Sequence, residues 1–238
     1  MKKIVQIKSA LKAKAKKDKA EFLPRFFKCG QGQYGEGDIF MGVMVPDARS
    51  VAKKFSDLDF ADLQILIKSK IHEERLTALF ILVAKYEKIK DNKLKKQCID
   101  FYLKNLKSVN NWDLVDLSCY KVLGDWLINR DRKILYTMAK SNDLWQKRIA
   151  MISTFAFIRN SESEDTLKIA KILLSDKHDL IHKAVGWMLR EMGKRQPVEL
   201  KDFLDINATK MPRTMLRYAI EKLSEKDRKM YLAKKFDG

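Results

Sequence analysis

A repeat with a period of 33 to 37 residues constrains this chain more than any other feature of its sequence. Each repeat contains two stretches with helical periodicity, and this combination is typical of an α-solenoid of HEAT-like helix pairs. The first stretches are centred on Arg75, Trp112, Arg148, Lys183 and Leu216. Their partner stretches occupy residues 91–107, 131–140, 164–175 and 198–207. We therefore predict an all-α fold, an α-solenoid whose corresponding helices line a concave groove.

The composition agrees with one helical domain. Of 238 residues, 46% are hydrophobic, and there are only 9 Gly and 4 Pro, so a helical core is favoured over strands and turns. We predict a single domain over residues 1–238, with N-terminal helices and a Gly-rich loop in 1–45 and the repeats in 46–238. The loop lacks the Gly-Lys-Ser/Thr of a phosphate-binding loop, so its glycines predict tight turns with positive φ. Pro46 suits the first turn of a helix.

The charge indicates an anionic partner. Lys and Arg number 49 against 31 Asp and Glu, a formal charge of +18. Such a balance favours nucleic acid or an anionic membrane surface, and a lysine-rich but inert surface is the alternative. The sequence contains no run of 18 or more apolar residues, so no membrane-spanning helix is predicted. Cys29, Cys98 and Cys119 form no paired motif, which indicates reduced thiols in a cytoplasmic protein.

The stretch Asn110 to Arg130 has the period of an amphipathic helix. Either Asn110 or Asn111 suits the N-cap, since a short amide accepts from the first N–H groups of a helix. Trp112 and Asp116 are four residues apart and share a face beside the apolar stripe. Asp113, closer to the helix start, is explained by the helix dipole alone. The predicted buried stripe consists of Val115, Cys119, Val122 and Trp126.

Asp116 is the candidate reactive group. A lone carboxylate suits a reaction in which it stabilises a developing positive charge, such as the oxocarbenium-like sugar formed when a C1′–N bond breaks. A base that is already cationic through alkylation leaves as a neutral molecule and needs no general acid. Aromatic faces attract such a cation. The repeat register predicts that Trp187 and Asp116 approach each other across the same surface, although they belong to different repeats.

Basic side chains of the later repeats are candidates for phosphate contacts, because Lys and Arg that follow a backbone neutralise its charge. A solvated surface role is the alternative for each of them. His178 and His182 are four apart, but no intervening Glu accompanies them, so we predict neither a metal site nor any other cofactor. The candidate DNA-binding residues are Lys147, Arg148, Lys183 and Arg190.

These motifs resemble the AlkD-type DNA alkylation repair family, HEAT-like glycosylases that excise cationic 3- and 7-alkylpurines. The resemblance is carried by NNWDLVD, LWQKRIAMI and KAVGWMLRE, and extends from about Phe22 to Leu223. It implies a stack of helices clasping duplex DNA, with Asp116 as the catalytic carboxylate. It also implies that Trp112 and Trp187 flank the lesion and that Arg148 holds a phosphate. The family acts without flipping the damaged base into a pocket, unlike most base-directed enzymes.

The N-terminal segment departs from this family. In the best-known members, these helices present an aromatic side chain to DNA, and here Pro24 and a longer Gly-rich loop intervene. Phe26, Phe27 and Tyr34 are the candidates for that contact. Some relatives that keep the fold but alter this segment bind DNA with no evident base excision.

Three functions follow from these observations. The first is a monofunctional DNA glycosylase of base excision repair, acting as a monomer on double-stranded DNA with alkylated purines, without a cofactor or membrane contact. The second is a non-catalytic HEAT-like protein that binds damaged or branched DNA. The third is a protein-interaction solenoid whose groove takes an acidic peptide.

Overall fold

The computed structural model describes residues 2–234, and residue 1 and residues 235–238 of the predicted domain lie outside that range. The described residues form two compact units, the first ending at Ser118 and the second starting at Cys119. The single domain and the concave groove involve both units and stay predictions.

The first unit is built around a buried helix, α5. It packs against α3, α4, α6 and α7. Leu76, Ile81 and Leu82 lie on different sides of α5 and are all buried, as expected for a helix apolar all round. The helices of this unit are α1 (Lys2–Lys12), α2 (Lys17–Phe26), α3 (Val45–Lys54), α4 (Phe60–Ile67), α5 (His72–Lys88), α6 (Asn92–Lys104) and α7 (Trp112–Asp116).

The second unit is organised around α13, which packs against α10, α12, α14 and α15. Asp143 caps α10 by accepting from the backbone N–H groups of Trp145 and Gln146. The helices of this unit are α8 (Asp125–Leu127), α9 (Lys133–Ala139), α10 (Leu144–Ser153), α11 (Phe155–Arg159), α12 (Glu164–Leu173), α13 (Asp179–Gly193), α14 (Pro197–Asn207), α15 (Arg213–Ala219) and α16 (Glu225–Ala233).

The predicted all-α fold of helix pairs is confirmed. Helices α5, α10, α13 and α15 form where the repeat places one set, and α6, α9, α12 and α14 form where it places their partners. Between residues 2 and 234 there is no β-strand, and Ile39 and Ile71 form an isolated bridge. Pro46 lies in the first turn of α3 as predicted. Within the same range, no helix has both the length and the apolarity needed to cross a bilayer.

The prediction of one continuous helix over residues 110–130 is wrong. Helix α7 ends at Asp116, a π-helical turn spans Tyr120–Gly124, and α8 follows. Ser118 explains the break, because its hydroxyl donates to the Leu114 carbonyl 2.5 Å away and its N–H turns to Val115. Of the predicted apolar stripe, Val115, Cys119 and Val122 are fully buried, whereas Trp126 is half-buried beneath the Arg130 guanidinium.

Candidate nucleic-acid site

Helix α7 presents an indole and a carboxylate one turn apart. Asn111 caps the helix, because its Oδ1 accepts from the Trp112 backbone N–H at 2.9 Å, as predicted. Asp113 is buried, whereas Trp112 and Asp116 are half-buried. The short helix therefore directs its apolar and capping residues inward and leaves Trp112 and Asp116 partly accessible.

Two aromatic rings at the C-terminal end of α2 pack against Trp112. The Phe27 ring is buried and stacks on the indole with centroids 5.0 Å apart, whereas the Phe26 ring meets it edge-on at 5.7 Å. Phe26 is 50% exposed. Of the three aromatic side chains considered for the N-terminal segment, Phe26 thus combines exposure with contact to Trp112, whereas Tyr34 is half-buried.

A buried cluster of charges lies behind this surface. The His72 ring contacts Asp38 Oδ2 through Nδ1 and Asp113 Oδ2 through Nε2, at 2.8 Å each. Arg75 donates to the other oxygen of Asp38. Burial would lower the pKa of His72, but the carboxylates of Asp113 and Asp38 outweigh it and raise the pKa to about 9. Burial opposes ionisation of Asp38, but hydrogen bonding from His72 and the charge of Arg75 lower its pKa.

Glu73 anchors the Gly-rich segment to α5. Its carboxylate accepts from the backbone N–H groups of Met41, Gly42 and Val43 at 3.1, 2.8 and 3.0 Å. Gly42 has a φ of 88°, and a Cβ there would lie 2.1 Å from the Lys16 carbonyl oxygen. The predicted positive φ is confirmed at this position, and only glycine allows the backbone to approach α2 so closely.

In the second unit, Trp187 lies on α13 and is half-buried. Its ring centroid is 6.4 Å from that of Phe155. Gly186 lets α15 approach, because a Cβ there would lie 2.4 Å from Tyr218 Cβ and 2.5 Å from the Met215 carbonyl oxygen. Trp187 therefore directly follows a position at which α13 and α15 pack too tightly for any side chain.

Three of the four candidate phosphate ligands pair with acidic side chains. Lys147 lies 2.7 Å from Asp176, and Lys183 lies 2.7 Å from Asp179 on its own helix. Arg190 pairs with Glu191 at 3.2 Å and with Glu221.

Arg148 is 5% exposed, and its Nη1 donates to the Leu180 carbonyl. That bond fixes the guanidinium between α10 and the start of α13. Asp116 and Trp112 belong to the first unit and the four cations to the second, so their convergence stays a prediction.

The sequence also matches a known family model, described as "DNA alkylation repair enzyme", over residues 7–223. The chain belongs to this family. A solved structure described as a predicted DNA alkylation repair enzyme from Enterococcus faecalis superposes with a TM-score of 0.68 at 15% identity. The match covers 89% of this chain and 98% of that one, and at this identity it shows the fold. No curated protein matches the sequence.

The buried charged cluster of Asp38, His72, Arg75 and Asp113 lies within the matched residues 7–223 and was not predicted from the sequence. Asp38 lies in the Gly-rich segment, which has no helical periodicity, and His72 lies at the start of α5. The position of Asp113 near a helix start is explained by the helix dipole alone, so it did not point to a buried partner. A usable signal was present, because HEER places four charged or titratable residues at the start of an otherwise apolar helix. All four of those side chains are buried.

The histidines of the second unit have structural roles. His178 caps α13 by accepting from the Leu180 N–H through Nδ1 at 3.1 Å. His182 Nε2 lies 2.6 Å from the Asp176 carbonyl oxygen. Residues 2–234 contain no group of three or more His, Cys, Asp or Glu side chains suited to a metal ion.

Proposed function

We propose that this member of the DNA alkylation repair enzyme family is a monofunctional DNA glycosylase. Its substrates are positively charged alkylpurines of the 3-methyladenine and 7-methylguanine type in double-stranded DNA, and it acts in base excision repair. The family match supports the role in alkylation repair. The substrate and the chemistry are the finer proposal.

The pairing of Trp112 with Asp116 carries this proposal. Neighbouring Asp113, Leu114 and Val115 are buried, while the indole and the carboxylate share the accessible side of α7. An anion of this kind stabilises an oxocarbenium-like sugar as the C1′–N bond breaks. The alkylated base leaves neutral with the electrons of the C1′–N bond, and water adds to the C1′ cation and releases one proton to solvent, so no covalent intermediate with the protein is needed.

The aromatic surface suits the cationic leaving group. The face of an indole attracts a cation held within about 6 Å, by roughly 1 kcal/mol when partly exposed. Phe26 widens the Trp112 surface, and we also assign a contact with the lesion to Trp187 of the second unit. The base would then be recognised at an open surface instead of inside a deep pocket.

The basic residues of the second unit would hold the DNA backbone. Lys183 and Arg190 keep accessible charge on α13, and Lys147 adds charge at α10. We assign a phosphate contact to Arg148 as well, whose Nη1 donates to the Leu180 carbonyl. The chain's charge of +18 supports a polyanionic ligand.

The decisive test measures 7-methylguanine released from duplex DNA by the wild type and by Asp116→Asn. We expect Asp116→Asn to lower the single-turnover rate by about 100-fold or more while DNA affinity changes little. Asp100→Asn is the matched control, because Asp100 is an exposed carboxylate paired with Lys96 on α6. Equal rates for wild type and Asp116→Asn would overturn the role of Asp116.

A wild type that binds DNA tightly but releases no base would overturn the glycosylase proposal. The non-catalytic DNA-binding function would then replace it, provided that affinity falls steeply with salt.

A further inference from the structure

The buried cluster joins three parts of the first unit that are far apart in sequence. His72 opens α5, Asp38 belongs to the Gly-rich segment, and Asp113 lies in the first turn of α7. Both carboxylates are 4% exposed, and the ring is 2% exposed. With Arg75, the cluster contains two cationic and two anionic groups, so its formal charge balances within the interior.

The geometry fixes the state of the imidazole. Both ring nitrogens face carboxylate oxygens at 2.8 Å. An ionised carboxylate only accepts hydrogen bonds, so both contacts are satisfied together when the ring donates from each nitrogen. His72 is therefore an imidazolium clamped between Asp38 and Asp113, and each contact is charge-assisted.

Each end of this clamp is itself held. Asp38 accepts from Arg75 and, at 3.3 Å, from the amide of Asn111, the N-cap of α7. The second oxygen of Asp113, Oδ1, accepts from the Leu114 backbone N–H at 2.8 Å. The clamp therefore grips the first turn of α7 through the cap residue and through a carboxylate bound to the helix backbone.

A second path joins His72 to the same helix. The His72 ring stacks on Phe40 at 4.5 Å, Phe40 stacks on Phe27 at 5.0 Å, and Phe27 stacks on Trp112 at 5.0 Å. The rings of His72, Phe40 and Phe27 are all in mutual contact, because Phe27 also lies 5.0 Å from His72 with the two planes tilted by 40°. The His72 ring therefore packs, directly and through Phe40, against Phe27, the ring that stacks on the Trp112 indole.

We propose that His72 is a positioning residue, which sets the direction in which α7 presents Trp112 and Asp116. This proposal rests on the proposed function for its consequence in catalysis. It acts through Asp113, the residue next to Trp112 and three before Asp116, and makes no contact with the reacting atoms. A role limited to fold stability is the competing explanation.

Two substitutions separate the two ends of the clamp. Glutamine places its amide nitrogen near the position of His Nε2, so His72→Gln keeps a donor for Asp113 and loses the one for Asp38. Asparagine places its nitrogen near Nδ1, so His72→Asn keeps a donor for Asp38 and loses the one for Asp113. Both variants remove the positive charge and part of the ring stack, and they differ by one methylene in length and in the carboxylate that keeps a donor.

The first readout is the single-turnover rate of 7-methylguanine release at saturating enzyme. We expect both variants to be slower than the wild type, and His72→Asn to be at least tenfold slower than His72→Gln. Tyr136→Phe is the stability control, because it removes a part-buried hydrogen bond to Asp165 in the second unit. Equal rates in the two His72 variants, or rates that only follow their loss of Tm as in Tyr136→Phe, would overturn the proposal.

The second readout does not depend on activity. The indole N–H resonance of Trp112, assigned by its loss in Trp112→Phe, reports the position of the start of α7. We expect a large shift or broadening in His72→Asn and a smaller one in His72→Gln. If the wild type releases no base but this order holds, the positioning role stands and the glycosylase proposal falls. If the resonance is unchanged in both variants, the positioning role falls whatever the activity.

Discussion

The imidazole of His72 and the carboxylate of Asp113 lie 2.8 Å apart in the interior of the first unit, although 41 residues separate them in sequence. This contact places a positive charge beneath the helix that presents Asp116. Because Asp38 occupies the other ring nitrogen, the Gly-rich segment is tied to the same helix. The Gly-rich segment is therefore part of the support of the candidate site.

The stability of the wild type is expected to fall relative to His72→Gln as the pH rises from 7 to 10. The folded pKa of about 9 is raised above the ordinary 6.5, so the stabilisation is complete below pH 6.5 and is lost as the pH passes through 9. The two pKa values correspond to roughly 3 kcal/mol. Urea unfolding at pH 6, 7.5 and 9.5 measures the difference in the free energy of unfolding between the wild type and His72→Gln. The titration of lysines that both proteins contain cancels in this difference. A difference that does not change with pH would contradict the charged clamp.

Phe26 is expected to contribute to recognition of the lesion, and Phe22 to contribute less. Both rings are about half exposed, and they stack on each other at 5.8 Å, but it is Phe26 that meets Trp112 edge-on. Phe26→Ala should weaken binding of alkylated over unmodified duplex by about fivefold, since an aromatic pair contributes roughly 1 kcal/mol. Competition binding with both duplexes measures this preference. A larger loss in Phe22→Ala than in Phe26→Ala would show that the assignment is reversed.

The fold could be predicted from the sequence because a helix pair produces a periodic apolar pattern among residues that are close together in the chain. The apolar positions of α5, α10 and α13 recur at the helical period, and their caps and partner helices lie within a few residues. The break after Asp116 was missed because it depends on the side chain of Ser118 competing for a backbone carbonyl. Such competition does not alter the apolar pattern.

The candidate site was only partly predictable for the same reason. Trp112 and Asp116 are four residues apart, so their shared face follows from helix geometry alone. The Asp38, His72 and Asp113 contacts join residues at separations of 34 and 41, and no periodicity relates them. A group of charged residues at the start of a mainly apolar helix, as in HEER, indicates that these side chains have buried partners elsewhere in the sequence.

Lys183→Ala is expected to flatten the salt dependence of DNA binding. Each phosphate contact contributes about 0.9 to the slope of log K against log salt on duplex DNA, so losing one reduces the slope by about that amount. Lys96→Ala is a matched control, because Lys96 makes the same kind of ion pair, 2.7 Å from an acid one turn away on an exposed helix face. Fluorescence anisotropy between 50 and 300 mM salt measures both. An equal change in the two variants would indicate a general charge effect instead of a contact.

Gly186→Ala is expected to lower the Tm and to disturb Trp187. The added Cβ would lie 2.4 Å from Tyr218 Cβ and 2.5 Å from the Met215 carbonyl oxygen, so α13 and α15 must separate. Overpacking of this kind costs about 1–3 kcal/mol, which for a chain of this size corresponds to roughly 2–10 °C. Gly30→Ala is the control, because its Cβ would meet only the flexible Gln33 side chain, at 3.0 Å. If base release falls in Gly186→Ala well below the temperature at which it unfolds, the contact between α13 and α15 also holds Trp187 in place for the reaction. An unchanged Tm would show that the two helices separate without cost.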